Sequence, residues 1–593
     1  MGTPEQDSPA TPENNLLGLG TGNGSKVEHI KITSNYLHGQ IQEELEQSTS
    51  RFSEDQIQLI KFHGMYQQED RDVRQARKAA SAEKAYQFMI RSRIPGGALT
   101  AEQYLVQDDI ADRFANGTLR ITTRQGFQHH GILKGNIRAT IQEINKALLS
   151  TLAACGDVNR NVMACPAPVA NRAQAQIQEI AHQIAMHLAP HSKAYHEIWL
   201  DGEKVHAVGE EESETAQTDE TVEPIYGPTY LPRKFKIGVA FPGDNCVDVY
   251  TQDVGLIARM DGETLVGFTV AIGGGMGSTH GKAETHPLLA KPFADISVEQ
   301  ALPVLETIVT VQRDYGDRQN RKHARMKYVV EERGVAWFRA QVEQRLGFTL
   351  SDPSPIVFHD VEDHLGWHEQ ADGRWFLGLH VENGRIKDTE TIRLKSGLRD
   401  VVTRFRPNIR LTSQQNILLT DIPADQRVSL EESLHSYGIV TDPQAIGAYR
   451  FAMACPSLPT CGLALAEAER VLPSIVQQIE AELYNFGLGG TPLSIRMTGC
   501  PNGCARPFMG DIGLVGRSKD LYNIYIGGDW SNTRLNTVYA PSVRTEQILA
   551  TLRPLLLLWR DERQPQETFG DFCHRTGVEE LRTRFLAKPA GKA

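Results

Sequence analysis

The sequence predicts an α+β fold built from a duplicated unit, its two halves related by a pseudo-twofold axis. Three observations predict it. Residues 118–127 (TLRITTRQGF) align with residues 408–417 (NIRLTSQQNI) at an offset of 290. Residues 160–168 (RNVMACPAP) align with residues 450–458 (RFAMACPSL) at the same offset. One offset shared by two matches makes chance a poor explanation. Arg120 thus maps to Arg410, Gln125 to Gln415, Arg160 to Arg450 and Cys165 to Cys455. Third, strand-like and helix-like segments alternate within each unit, as α+β layers require. Glycine-rich loops recur after strand-like runs, VAIGGGMGSTHG at 270–281 and YIGGDWSNTR at 525–534.

Taken from the N-terminus, the opening segment is polar and lacks a basic start followed by an apolar stretch. It reads as a disordered tail rather than a signal peptide. The chain has 593 residues, 40% hydrophobic and 23% charged, the balance of an ordinary globular protein with ample core. No run of about 18 apolar residues occurs, so no membrane span is expected, and the expected compartment is the cytoplasm. There thiols stay reduced, and clustered cysteines point to metal or redox chemistry. A net charge of −11 excludes a general polyanion binder; any basic site must be local. The acidic run at 207–224 reads as a solvated insertion, and the terminal AKPAGKA as unstructured.

Several short segments carry cations at strand spacing. RSRIPGG places Arg91 and Arg93 two apart. In LRITTRQ, Arg120, Thr122 and Arg124 share one face while Leu119 and Ile121 share the other. Arg160 stands between Asn159 and Asn161 in DVNRNV. Arg233 precedes Lys234 and Lys236, which share a face with Phe235 and Ile237 opposite. Any one of these reads as a solvated strand face. Together, in an acidic chain, they call for a highly anionic ligand, because gathered like charges repel. His63, His129 and His130 read as hydrogen-bonded core histidines.

The cysteines carry the sharpest signal. Cys455 and Cys461 form C-x5-C; 38 residues later Cys500 and Cys504 form C-x3-C. Four thiolates at such loops hold a 4Fe–4S cluster or a zinc ion. Zinc ribbons favour C-x2-C knuckles, absent here. Pro456, Pro459, Pro501 and Pro507 stiffen the loops, and Gly499 and Gly503 permit close backbone approach. The segment after Cys461 is expected to be an amphipathic helix whose N-terminal amides face the cluster. Cys155, Cys165, Cys246 and Cys573 read as single, buried and inert.

CPSLPTCGLALAEAERVLP with TGCPNGCARP resembles the paired cysteine motif of the sulfite and nitrite reductase family, enzymes that couple a 4Fe–4S cluster to siroheme. FHGMYQQEDRD, RIPGG, RITTRQGFQHHGILK, DVNRNV and YLPRKFK resemble the hemoprotein subunits of the NADPH-dependent sulfite reductases. The likeness runs from about residue 34 to about residue 577. It implies the duplicated siroheme/iron–sulfur architecture with pseudo-twofold ferredoxin-like repeats and mixed sheets. The expected divisions are a tail and arm at 1–80, a ferredoxin-like pair from 81–152 and 368–440, a cationic siroheme- and substrate-binding half at 153–367, and a cluster-bearing half at 441–593.

The resemblance further implies that Cys455, Cys461, Cys500 and Cys504 hold the cluster, Cys504 also serving as axial ligand to the siroheme iron. Siroheme carries eight carboxylates, which gives Arg120, Arg124 and Arg233 partners. Arg93, Arg160, Lys234 and Lys236 would face sulfite, with Arg91 a rival for the first. Asn159 and Asn161 lie on the loop expected to order over cofactor and substrate. The implied reaction is the six-electron reduction of sulfite to sulfide, fed by an NADPH-oxidising flavoprotein, since no dinucleotide-binding fingerprint stands in the chain. The alternatives are a ferredoxin-dependent sulfite or nitrite reductase and, in another class, a zinc-stapled scaffold without catalysis.

Overall fold

A computed structural model describes residues 24–168, 172–201 and 223–586. The N-terminal tail, the acidic run up to residue 222 and the terminal AKPAGKA lie outside the described residues.

Two five-stranded antiparallel sheets form the repeat pair. The first runs Met65–Glu69, Tyr86–Arg91, Phe127–Ile132, Leu119–Ile121, Arg385–Ile386. The second runs Gly366–Glu369, Trp375–Leu379, Ile417–Ile422, Asn408–Leu411, Ala98–Leu99. Each sheet takes its last strand from the other repeat: Arg385 pairs with Arg120, and Ala98 with Arg410. The alternation in LRI explains the burial, since Leu119 and Ile121 are sealed in one core with Ile409 and Leu411.

The duplicated glutamines lock this exchange. Gln125 and Gln415 both hold positive φ, 54° and 70°, in the tight turn after their strand. Gln125 Nε2 donates to the Leu411 carbonyl at 2.9 Å, and Gln415 Nε2 to the Ile121 carbonyl at 3.4 Å. Gln125 also clamps both backbone groups of Ala164, donating at 2.7 Å and accepting at 3.0 Å. Truncation would strand those buried groups at about 1–3 kcal/mol each. Gln125→Ala is therefore expected to lower unfolding free energy by about 2–3 kcal/mol, which urea titration measures; an unchanged midpoint would contradict this account.

Two mixed sheets form the halves proper. One runs Met163–Ala164, Ile237–Ala240, Val254–Asp261, Thr264–Ile272, Lys291–Ser297. The other runs Ala452–Ala454, Ile495–Thr498, Ile512–Ser518, Leu521–Ile526, Thr537–Arg544. In each, three parallel strands lead into an antiparallel hairpin. Their registers correspond: Met163 faces Gly238 as Met453 faces Arg496, and Ile237 faces Val254 as Ile495 faces Ile512. The parallel strands are apolar runs, as burial on both faces demands. Helices Ala301–Tyr315 and Ile548–Glu562 supply buried leucine, isoleucine and valine to the respective cores.

The glycine-rich loops cross between halves. Ser278 N donates to the Pro501 carbonyl at 2.9 Å, while Asn245 Nδ2 donates to the Ser531 carbonyl at 2.8 Å. Each loop thus rests on the cysteine-bearing loop of the opposite half. Gly503 suits its left-handed φ of +63°, and a Cβ there would press to 3.1 Å from the Met276 carbonyl oxygen.

One expectation is corrected. The helix after Cys461 starts only at Leu472, with a proline in its first turn. The Leu465 and Ala466 amides instead donate to the Gly499 carbonyl at 2.8 and 3.0 Å. The segment ties the two cysteine loops together, and that tertiary bond outcompetes its alanine-rich helix propensity.

Candidate active site

Between the halves lies a cavity of about 580 Å³. Its wall carries eleven basic side chains and a single carboxylate, Asp157. In a chain of net charge −11 this is a strong local reversal. Arg91, Arg120, Arg124, Arg160, Arg233, Lys234 and Lys236 all line it, as does Asn161. So do Cys455, Cys461 and Cys504, contributed by the second half.

Backbone pairing places the cations. The Asn159–Phe235 bridge, with the Arg160 amide donating to the Phe235 carbonyl at 3.0 Å, sets the DVNRNV loop beside RKFK. Phe235 is sealed in the core, so its neighbours Lys234 and Lys236 turn to the cavity. Burial, then Arg233, Arg160 and Arg325, drive the Lys234 pKa well down; burial, then Lys234, Arg124 and Arg325, do the same to Lys236. Among the described residues neither lysine has a carboxylate within salt-bridge reach. Arg124 is held by the Gln252 side chain at 2.6 Å and by the Asn161 carbonyl. Arg120 is partly neutralised: it meets Glu469 at 3.0 Å and donates to the Ala454 carbonyl at 2.8 Å, next to Cys455.

Three expected residues do not line the cavity. Arg93 pairs its backbone with Ser150 and places Nη2 3.4 Å from the Met186 sulfur. Asn159 is buried and does not line the cavity; its backbone amide donates to the Tyr226 hydroxyl at 3.2 Å. Cys500 is buried, its sulfur accepting from Asn502 Nδ2 at 3.5 Å. Four cations were not anticipated: Lys61, Arg321, Arg325 and Arg506. The basic run RQNRKHAR at 318–325 was the visible signal for two of them.

The histidines divide. His63 accepts from Trp199 Nε1 at 2.9 Å and meets the Leu37 carbonyl at 3.1 Å, and burial draws its pKa down to about 4. His129 bonds Gln107 at 2.8 Å. His130 differs: it lines the cavity, and both its ring nitrogens lack a protein partner among the described residues.

The four motif cysteines act on one another electrostatically. Burial, then Cys504 and Cys500, push the Cys455 thiol far up; burial, then Cys504, raise Cys500 to about 12. A metal centre reverses that cost by supplying positive charge. Tetrahedral zinc would hold its sulfurs about 3.8 Å apart. Among the described residues, the only group of three or more candidate ligands with all donor atoms within 4.8 Å is a different one. No three of the quartet's sulfurs all lie within 4.8 Å of one another, wider than the edges of a tetrahedral zinc site. Orphaned buried polar atoms facing this region, His130 Nδ1 and Nε2, Arg124 Nε and Asn161 Oδ1, fit a large polar ligand. The donor set therefore suits both a cluster and a polycarboxylate macrocycle.

The cation wall has a pH signature. Burial, then Arg321, lowers Lys61 from 10.5 to about 8. Below about 8 the folded, cofactor-free protein bears the full penalty of a charged Lys61. That penalty is relieved as pH rises from about 8 toward the unfolded value of 10.5. Stability of the cofactor-free protein is thus expected to climb over that window, and Lys61→Met to flatten the slope in urea titrations at several pH values. An equal slope in the variant would remove Lys61 as the cause.

Comparison with known proteins agrees with the geometry. The family described as nitrite and sulphite reductase 4Fe-4S domain matches residues 179–350 and 448–592. The nitrite/sulfite reductase ferredoxin-like half domain matches residues 81–147 and 368–437. A protein of Staphylococcus saprophyticus named sulfite reductase [NADPH] hemoprotein beta-component is 48% identical, over 94% of this chain and 96% of its own. One of the same name from Myxococcus xanthus is 48% identical, over 93% and 96%. The solved structure of the Mycobacterium tuberculosis NirA protein superposes with a TM-score of 0.74 at 22% identity, over 95% of this chain and 99% of its own, a likeness of fold. No helix among the described residues is long and apolar enough to cross a membrane. With both family domains matched twice and in the order of the repeat, the chain belongs to the nitrite and sulfite reductase family.

Proposed function

We propose that this chain is the hemoprotein component of an NADPH-dependent sulfite reductase and reduces sulfite to sulfide by six electrons. One observation carries the reading: eleven cations and one carboxylate share a cavity with three of the four motif cysteines. Cys455, Cys461, Cys500 and Cys504 would hold a 4Fe–4S cluster, and the cation wall the carboxylates of siroheme. When bound, these groups supply the electron transfer and the site of sulfur reduction.

The chain's own residues bind the anion and deliver protons. Arg160, Lys234 and Lys236 receive the oxygens of sulfite, and their charge is worth most where water is excluded. Each oxygen departs as water, so protons must reach it repeatedly. A lysine whose pKa is held down gives up its proton readily, which suits Lys234 and Lys236. Arg91 takes the place expected for Arg93: it lines the cavity and is braced by Gln128 and the Cys155 sulfur, the latter at 3.1 Å. Electrons come from a flavoprotein partner that oxidises NADPH.

The direct test is an absorption spectrum of the purified protein with iron and acid-labile sulfide determinations. Siroheme bands and about four sulfides per chain are expected; a colourless, iron-free protein that also fails to take up both groups on reconstitution would end the reading. Arg91→Ala is expected to raise the KM for sulfite or lower kcat by about 10–100-fold, whereas Arg93→Met should change either by less than about threefold. The reverse ranking would restore Arg93 to the substrate side.

A further inference from the structure

We propose that Cys165, Asp244, Cys246 and His364 form a second metal centre, a closed tetrahedral site for a single zinc ion. Their donor atoms all lie within 4.8 Å of one another, the only such group among the described residues. The Cys165 sulfur stands 3.6 Å from Asp244 Oδ2 and 3.9 Å from His364 Nε2, and that nitrogen is 3.6 Å from the same Oδ2. Zinc bound by sulfur at about 2.3 Å and by nitrogen or oxygen at about 2.0–2.1 Å has tetrahedral edges of roughly 3.3–3.8 Å. The ligands are therefore nearly at bonding separation. Two sulfurs, one imidazole and one carboxylate are donors that zinc accepts together.

The surroundings prepare the site. Asp244 Oδ1 accepts from the Cys246 amide at 2.8 Å and the Glu362 amide at 3.2 Å, which leaves Oδ2 turned inward. Cys165, Cys246 and His364 are buried. The three ligand-bearing segments come from the first half and from the stretch leading into the second ferredoxin-like repeat, so one ion would pin parts of the chain 199 residues apart.

The duplication gives the site a reason to exist. Cys165 corresponds to Cys455 at the offset of 290. The strand registers carry a second offset, 258, from Ile237 to Ile495 and from Val254 to Ile512. That offset takes Cys246 to Cys504. Both sulfurs thus occupy the pseudo-twofold mates of cluster-motif positions. In the first half the other two cysteines have no counterpart, and Asp244 and His364 close a smaller cage, with room for one ion rather than a cube.

Metal analysis of the holoenzyme decides the matter. One zinc per chain is expected beyond the iron, with a zinc-edge absorption spectrum showing two sulfur and two nitrogen or oxygen neighbours. Cys246→Ser and His364→Ala should each lose the zinc while visible absorbance and acid-labile sulfide per chain stay at wild-type level. If the variants fail to fold, the wild-type spectrum still decides, since coordination by four sulfurs, or by nitrogen and oxygen alone, overturns the proposal. So does a holoenzyme that holds no zinc and takes up none when dialysed against zinc ion alone. A Cys165–Cys246 disulfide found by mass spectrometry would overturn it equally.

Discussion

Lys236→Ala is expected to lower sulfite turnover about 100-fold or more while iron, acid-labile sulfide and siroheme per chain remain at wild-type level. The physical case rests on what the side chain does without a ligand. Lys236 is buried among Lys234, Arg124 and Arg325, and its charged form is disfavoured there. Its removal relieves repulsion, so folding should not suffer. A buried lysine in that setting is suited to an anion that arrives and a proton that leaves. Cofactor content separates the two duties of the wall. If alanine at 236 emptied the protein of siroheme, Lys236 would belong to the carboxylate-binding set; if turnover held at full occupancy, the lysine would have no part in the reaction. A rise in the KM alone would make it a binding group, whereas a fall in kcat together with loss of the wild-type decline at high pH would mark it as a proton donor.

How much of this was legible in the sequence follows from the physics of each element. The duplication was legible because turn chemistry and strand alternation leave the same letters twice: Gln125 and Gln415 are repeated because each bonds the other repeat's strand. The lysine pair was legible because a strand alternates faces and Phe235 marks the buried one. Arg91 and Arg93 were not separable that way. Period two puts them on one face only while the strand continues, and it ends at Arg91; Arg93 then pairs with Ser150 and turns toward Met186. Arg321 and Arg325 enter the wall from an irregular segment, where no periodicity announces direction. His364 and Asp244 were invisible for a different reason: their partners lie far off in sequence, and only the folded topology brings Cys165 and Cys246 to them.

The pseudo-twofold axis also explains why one half became cationic and the other sulfur-rich. A cofactor pair lying between two equal halves needs only one set of ligands, so each half is free to keep a different share. Asp248 shows the division at the axis. It holds Arg496 at 2.8 Å and also Arg506, whose backbone position corresponds to its own at the offset of 258. A carboxylate in one half now anchors the arginine that follows Cys504 in the other.

That anchoring sets up the larger of the two expected effects. Cys504→Ser is expected to abolish sulfite reduction and to strip or uncouple the visible chromophores, yet leave a folded chain. The loop does not depend on the sulfur. Arg506 ties it to Asp248, to the Thr123 carbonyl at 2.9 Å and to the Ser413 carbonyl at 3.0 Å, while Thr123 Oγ1 donates to the Cys504 carbonyl at 2.9 Å. Both ferredoxin-like repeats and the first half thus hold the backbone at 504 in place. The side chain itself is the exposed member of the quartet and faces the cavity. Serine fits there, but its hydroxyl has a far higher pKa and its hard oxygen is a much poorer ligand than a thiolate for an iron–sulfur centre. Circular dichroism and a urea midpoint close to wild type, with iron and visible absorbance lost, would place the defect at the metal. A wild-type spectrum with full turnover would show that the sulfur at 504 belongs to neither cofactor, and the reading of the cavity would fail with it.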